Sequence, residues 1–113
     1  MARRILLLLA VLGVLAACAS GGDGGRTIEA IGMSFVRDEV HVPAGRPVTL
    51  RIVNRDGYAH AFDMDAFGIH RPLAARETVE VTFTPEQAGS YTFYCGSPGH
   101  MAAGMDGVLV VAP

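Results

Sequence analysis

Through the middle of this chain the apolar residues fall on alternate positions, and that period of two is the feature that most restricts its fold. Val40 and Val42, then Val48, Leu50 and Ile52, then Val79, Val81 and Phe83 are each separated by a single polar residue. Successive side chains of an extended strand point to opposite faces, so such runs bury one face and wet the other. Pro43-Ala44-Gly45-Arg46-Pro47 and Pro85-Glu86-Gln87-Ala88-Gly89 carry turn chemistry and separate the runs. An early strand is expected over Thr27 to Phe35 with a break near Gly32, and a last one over Gly107 to Ala112. Tyr91, Phe93 and Cys95 share one strand face, with Thr92 and Tyr94 on the other. No segment keeps a helical period over a useful length. The stretch from Ala59 to Ala75 is the least regular, and a loop or short helical turn is expected there. Many short strands with turns between them imply an all-β sandwich or barrel.

The first residues do not belong to that pattern. Met1-Ala2-Arg3-Arg4 is followed by an uncharged apolar run from Ile5 to Ala17, a basic start and apolar centre of the secretory kind. The run is short for a membrane-spanning helix, which needs about 20 apolar residues; an uncleaved short anchor is the alternative. Leu15-Ala16-Ala17-Cys18 resembles the lipobox of bacterial lipoproteins. The resemblance implies that residues 1–17 are a signal peptide and that Cys18 is acylated and becomes the mature N-terminus. Residues 18–25 are rich in glycine and read as a flexible tether. The expected location is therefore outside the cytoplasm, on the cell membrane or outer membrane, facing the periplasm or the cell exterior.

A single domain is left over residues 26–113. A domain this small has a modest core, and a bound metal would help to staple it. Without the signal, seven arginines face eleven acidic residues, a net charge of about −4, and the chain has no lysine. The charges are interspersed and form no basic stripe, which argues against nucleic acid as a partner. Of the two cysteines, Cys18 is consumed by lipidation, which leaves Cys95 as a lone thiol in an exported domain. Thiols there tend to be oxidised, and metal ligation is the best reason to keep one.

Cys95, His100 and Met105 fall on one loop between two strands, spaced Cys-x4-His-x4-Met, with Gly96, Pro98, Gly99 and Gly104 allowing it to turn. His60 lies upstream, after the strand that ends near Asn54. Cu(I) favours soft sulfur ligands, and Cu(II) favours nitrogen. One thiolate, two imidazoles and a weak thioether suit both states. The chain is similar to the cupredoxin family from about Ile28 to Val111, most specifically in this loop. Pro98-Gly99-His100 resembles the azurin and rusticyanin loops, and the four-residue gap to Met105 resembles the rusticyanin-like and sulfocyanin-like members. The resemblance implies a Greek-key β-sandwich or barrel of about seven to eight strands holding one type 1 copper ion. His60, Cys95 and His100 would be its trigonal ligands and Met105 its long axial ligand. It further implies that the Tyr91 hydroxyl pins a crossover between strands. Many family members carry Asn directly after the first histidine, where its side chain fastens the cysteine loop. This chain has Ala61 there, so the backbone amide can still reach the sulfur but the side-chain clamp is expected to be missing.

Met101 adjoins His100 and is expected to point away from the metal, while Met33 and Met64 are expected to fill the core. His41 and His70 are expected on the surface. A binuclear copper centre needs a second cysteine four residues after Cys95, where Gly99 stands. Zinc accepts histidine and cysteine as well, but a methionine at this spacing adds nothing for zinc. The family implies a one-electron carrier rather than an enzyme. It would be a monomer that meets exported cytochromes or respiratory complexes through the exposed edge of His100. The alternative is a copper carrier or store without a redox role, although such proteins tend to offer open methionine-rich or Cys-x-x-Cys sites.

Overall fold

The computed structural model describes residues 24–113. The expected signal peptide, the expected lipidation residue Cys18 and all of the expected linker but Gly24 and Gly25 lie outside the described residues. Nine strands form two sheets among the described residues. They are β1 (Thr27–Ile31), β2 (Ser34–Val36), β3 (Glu39–Pro43), β4 (Val48–Asn54) and β5 (His60–Met64), followed by β6 (Ile69–Leu73), β7 (Thr78–Phe83), β8 (Gly89–Tyr94) and β9 (Asp106–Ala112). One sheet has the order β2-β1-β4-β7 and the other β3-β9-β8-β5-β6. The chain crosses between the sheets after β2, β3, β4, β6 and β7, which makes a Greek-key sandwich. β1 runs parallel to β4 and β3 parallel to β9, and the other pairs are antiparallel.

The alternating runs form strands for the expected reason. Val48, Leu50 and Ile52 of β4 are buried, and so are Val79 and Val81 of β7, with Thr49, Arg51 and Glu80 outside. The two sheets meet over Ile28, Leu50, Ile52, Phe62, Phe93 and Leu109. Phe35 of β2 sets its ring edge against Phe62 at 6.0 Å and Phe93 at 5.5 Å, which joins the sheets by T-shaped contacts. The Tyr91 hydroxyl donates to the Gln87 carbonyl at 2.8 Å, closing the corner where the chain passes from β7 to β8.

Three expectations need correction. The early strand is a hairpin: β1 and β2 pair antiparallel around Gly32, which sits at φ 59°, in the left-handed region that glycine enters freely. Met33 occupies that turn and is exposed, not core, because a hairpin tip has no opposing layer; Met64 is fully buried as expected. The irregular stretch is ordered into β5 and β6 around a 3-10 turn at Asp65–Phe67. β6 lies at the edge of its sheet, where Pro72 is tolerated and only Leu73 is buried, so its sequence shows no alternation. Hairpin and edge strand together raise the count above the seven to eight expected.

Candidate metal centre

The four sequence-predicted residues converge at one end of the five-stranded sheet. His60 opens β5, Cys95 follows the end of β8, and Met105 precedes β9. β5 and β8 are antiparallel neighbours, so the start of one lies beside the end of the other. The same alternation that buries Phe62 and Phe93 carries His60 and Cys95 onto the inner face. Cys95 and Met105 are fully buried, and His60 is nearly so. His100 lies on the loop and is half-buried.

The loop is tied to itself through its ligand positions. The Cys95 amide donates to the Met105 carbonyl at 3.0 Å, and the Met105 amide donates to the His100 carbonyl at 3.1 Å. The His100 amide donates to the Ser97 carbonyl at 3.1 Å. Gly99 and Gly104 adopt φ of 80° and 93°, which lets so short a segment turn back on itself. Backbone hydrogen bonds thus fix the spacing of the three donor residues on the loop.

His60 Nδ1 and His100 Nδ1 stand 3.2 Å apart. Cys95 Sγ lies 3.5 Å from His100 Nδ1 and 3.9 Å from His60 Nδ1. Among the described residues these are the group whose donor atoms converge for a metal, all within 4.8 Å of one another. Donors about 2.0–2.3 Å from a common ion spread roughly 3.5–3.8 Å apart in a trigonal plane, so the three fit one ion. With the buried thioether of Met105 they form a type 1 copper arrangement, two nitrogens and a thiolate with a soft thioether on the same loop. Met101 is exposed, with half of its surface open to solvent.

Residues around the donors orient them. The Ala61 amide donates to Cys95 Sγ at 3.3 Å, as the sequence led us to expect. A side-chain hold on the cysteine loop comes from two residues further along β5. Asp63 shares the outward face of that strand with Ala61, and its Oδ2 accepts the Gly96 amide at 3.0 Å. A Cβ on Gly96 would lie 2.4 Å from that oxygen, so glycine is what permits the approach. The other Asp63 oxygen meets His70 Nδ1 at 2.9 Å, and the neighbouring Tyr94 hydroxyl donates to Asp65 at 2.8 Å, which pushes its phenol above the ordinary range.

Behind His60 sits Asp56. Its Oδ2 lies 2.6 Å from His60 Nε2 and accepts the Gly32 amide at 2.7 Å. The hydrogen bond from His60 holds the Asp56 carboxyl below its ordinary range, the Gly32 amide adds to this, and burial works against both. Asn54 secures the turn: Nδ2 donates to the carbonyls of Tyr58 and Ala74 at 2.8 and 3.0 Å, and Oδ1 accepts the Asp56 amide at 2.9 Å. The Tyr58 ring lies against the His60 ring, with centroids 4.9 Å apart. Asp56, Asp63 and Asn54 carry no signal in the sequence that marks them as part of the site; the Asn-Arg-Asp-Gly run at 54–57 signals a turn, not what the turn holds. His41 and His70 are exposed, as expected, and each pairs with a carboxylate.

A cupredoxin-like domain model matches residues 4–111. The chain is 33% identical to auracyanin-A of Chloroflexus aurantiacus, with 95% of this chain and 94% of that protein covered. The solved structure of auracyanin A, a blue copper protein from that green thermophilic photosynthetic bacterium, superposes with a TM-score of 0.66 at 27% identity. That match covers 76% of this chain and 96% of the other. Dithionite-reduced auracyanin from Roseiflexus castenholzii shares the fold, with a TM-score of 0.70 at 23% identity over 77% of this chain and 95% of the other. Strand order, donor triangle and family model lead to one assignment: the chain belongs to the cupredoxin-like family, and its site is the arrangement of a type 1 copper centre.

Proposed function

We propose that this protein is a single-electron carrier, exported and tethered to a membrane, whose one copper ion is held by His60, Cys95, His100 and Met105. The observation that carries the reading is the donor triangle of Cys95 Sγ, His60 Nδ1 and His100 Nδ1, closed within 4.8 Å beside a buried methionine. Bound there, copper supplies a one-electron couple between Cu(II) and Cu(I). The residues supply the rest. A thiolate and thioether accept the reduced ion, and two imidazoles accept the oxidised one. The backbone bonds among Cys95, His100 and Met105, with the amides of Ala61 and Gly96 held by Cys95 and Asp63, keep the donors in place in either state. A frame that does not rearrange keeps the barrier to electron transfer low.

The half-buried His100 is the port. Around it Pro98, Met101, Ala102 and Ala103 are exposed, a small and largely apolar surface suited to short-lived docking. Weak redox encounters bury little area, and exported cytochromes or respiratory complexes are the partner class this surface fits. The domain of residues 26–113 works as a monomer, and a lipid on Cys18 with the glycine-rich linker keeps it near such partners. The reading is that of a carrier and not an enzyme: the two remaining histidines, His41 and His70, stand apart on β3 and β6, each beside its own carboxylate.

The test is a visible spectrum of the full chain loaded with Cu(II), before and after ascorbate. An intense blue band that bleaches on reduction and returns on oxidation is expected. It should vanish in Cys95→Ser and survive, shifted, in Met105→Leu. The colour should fractionate with membranes until Cys18→Ser releases it. Colourless copper without reversible cycling would overturn the electron-carrier reading in favour of storage or delivery.

A further inference from the structure

Metal-bound histidines work best when the second ring nitrogen is held, because that bond selects the tautomer and the orientation of the ring. His60 meets this condition through a carboxylate. An ionised carboxylate only accepts hydrogen bonds, so the proton on this ring sits on Nε2, and in the neutral imidazole the lone pair is left on Nδ1. Nδ1 is the atom that faces Cys95 Sγ and His100 Nδ1. The carboxylate is itself fixed twice more. Gly32 donates to the same oxygen from the β1–β2 turn, and the Asp56 backbone is gripped by Asn54 Oδ1 through its amide and by the Arg76 amide through its carbonyl. Its side chain is largely sheltered, at 17% exposure, and that of His60 is fully covered, so the pair meets little competing water.

We propose that Asp56 is the positioning residue of the copper centre. It locks His60 in the tautomer that presents Nδ1 and places a fixed negative charge one ring away from the ion, biasing the site toward Cu(II). This inference rests on the copper reading above. Its physical basis is that a nearby anion stabilises the more positive of two metal states, and more so where solvent is excluded. It goes beyond the four donors because no donor is changed by altering Asp56.

Two variants separate the two roles. Asp56→Asn keeps an oxygen able to accept from both His60 Nε2 and Gly32 and removes only the charge. With the blue band retained, it should lose about tenfold of the preference for Cu(II) over Cu(I), a potential raised by about 59 mV. Asp56→Ala removes the acceptor as well and should lower Cu(II) affinity by about 10- to 100-fold. A copper-free readout keeps the inference distinct from the carrier reading: nitrogen NMR of the apo full chain. His60 should carry its proton on Nε2 in wild type and in Asp56→Asn, and should become a mixture in Asp56→Ala. If wild type fails to turn blue, the carrier reading falls while the tautomer measurement still decides the positioning role. The charge role is overturned if Asp56→Asn has the wild-type potential. The positioning role is overturned if the wild-type ring carries its proton on Nδ1, or if the tautomer is unchanged in Asp56→Ala. Should Asp56→Ala fail to fold, Asp56→Asn and the wild-type tautomer still settle both roles.

Discussion

The two histidines of the site are held in opposite ways. His60 starts a central strand, its side chain is wholly covered, and Asp56 grips its ring from behind while the Tyr58 ring lies against it. His100 sits in a turn, is half-buried, and is held through its backbone by Ser97, Ala103 and Met105. One half of the centre is therefore fixed by the sandwich and the other by a short loop that faces solvent. A site of this kind has a rigid wall and a reachable door. On the proposed carrier reading, rigidity would keep the donors still when the charge of the ion changes, and access would let a partner approach within electron-transfer range.

The largest effect should come from deleting each ring in turn. His60→Gly and His100→Gly should both lose the blue band. Added imidazole should restore much of it in His100→Gly, where the vacated space opens to solvent, and little in His60→Gly, where it is sealed. Titrating imidazole into each copper-loaded variant while following the visible band reads the difference. Equal restoration in both would break the contrast between wall and door.

That contrast also marks what the sequence could reveal. The loop was legible because its three donors lie within eleven consecutive residues at a spacing that chemistry restricts. The regular strands were legible where one face is buried and the other wet, as in β4 and β7. The wall was not. Asp56 lies four residues before His60 but on no helix, so nothing in the spacing brings the two together; Asn54 and the Gly32 amide do so across the fold. Asp63 reaches Gly96 only because β5 and β8 are neighbours, a pairing no local pattern states. The β5–β6 hairpin is hidden in the sequence because an edge strand with a proline and outward polar residues lacks the alternation that betrays a strand.

A middle-sized effect is expected at the root of the loop. Gly107 pairs with Phe93 in the β8–β9 register, two residues after Met105. A Cβ there would lie 2.3 and 2.5 Å from Phe93 ring carbons and 2.6 Å from the Asp38 carbonyl oxygen. The ring is locked between Phe35 and Phe62, and the carbonyl is backbone, so neither can yield cheaply. Gly107→Ala should cost about 1–3 kcal/mol of stability, the usual range for overpacking, measured by denaturant unfolding of the apo protein. Wild-type stability in that variant would mean that the root has slack and the loop is less firmly set than its hydrogen bonds imply.

The smallest effect sharpens the account of the wall by asking whether surface charge contributes to it. Arg55, directly before Asp56, donates to Glu29 Oε1 at 2.7 Å, and that bond holds the Glu29 carboxyl below its ordinary value of 4.5. A carboxyl whose folded value is lowered adds stability above its unfolded value. That stability is lost as pH falls through the lowered folded value. Glu29→Gln should therefore melt slightly below wild type at pH 7 and low salt, and the gap should close on acidification toward pH 3. Both partners are partly exposed, so salt should shrink the gap as well. A gap that persisted at low pH would assign Glu29 a packing role in place of a charge role. A small gap that closes would leave the wall resting on the sheltered bonds of Asn54 and Asp56, where solvent and salt reach least.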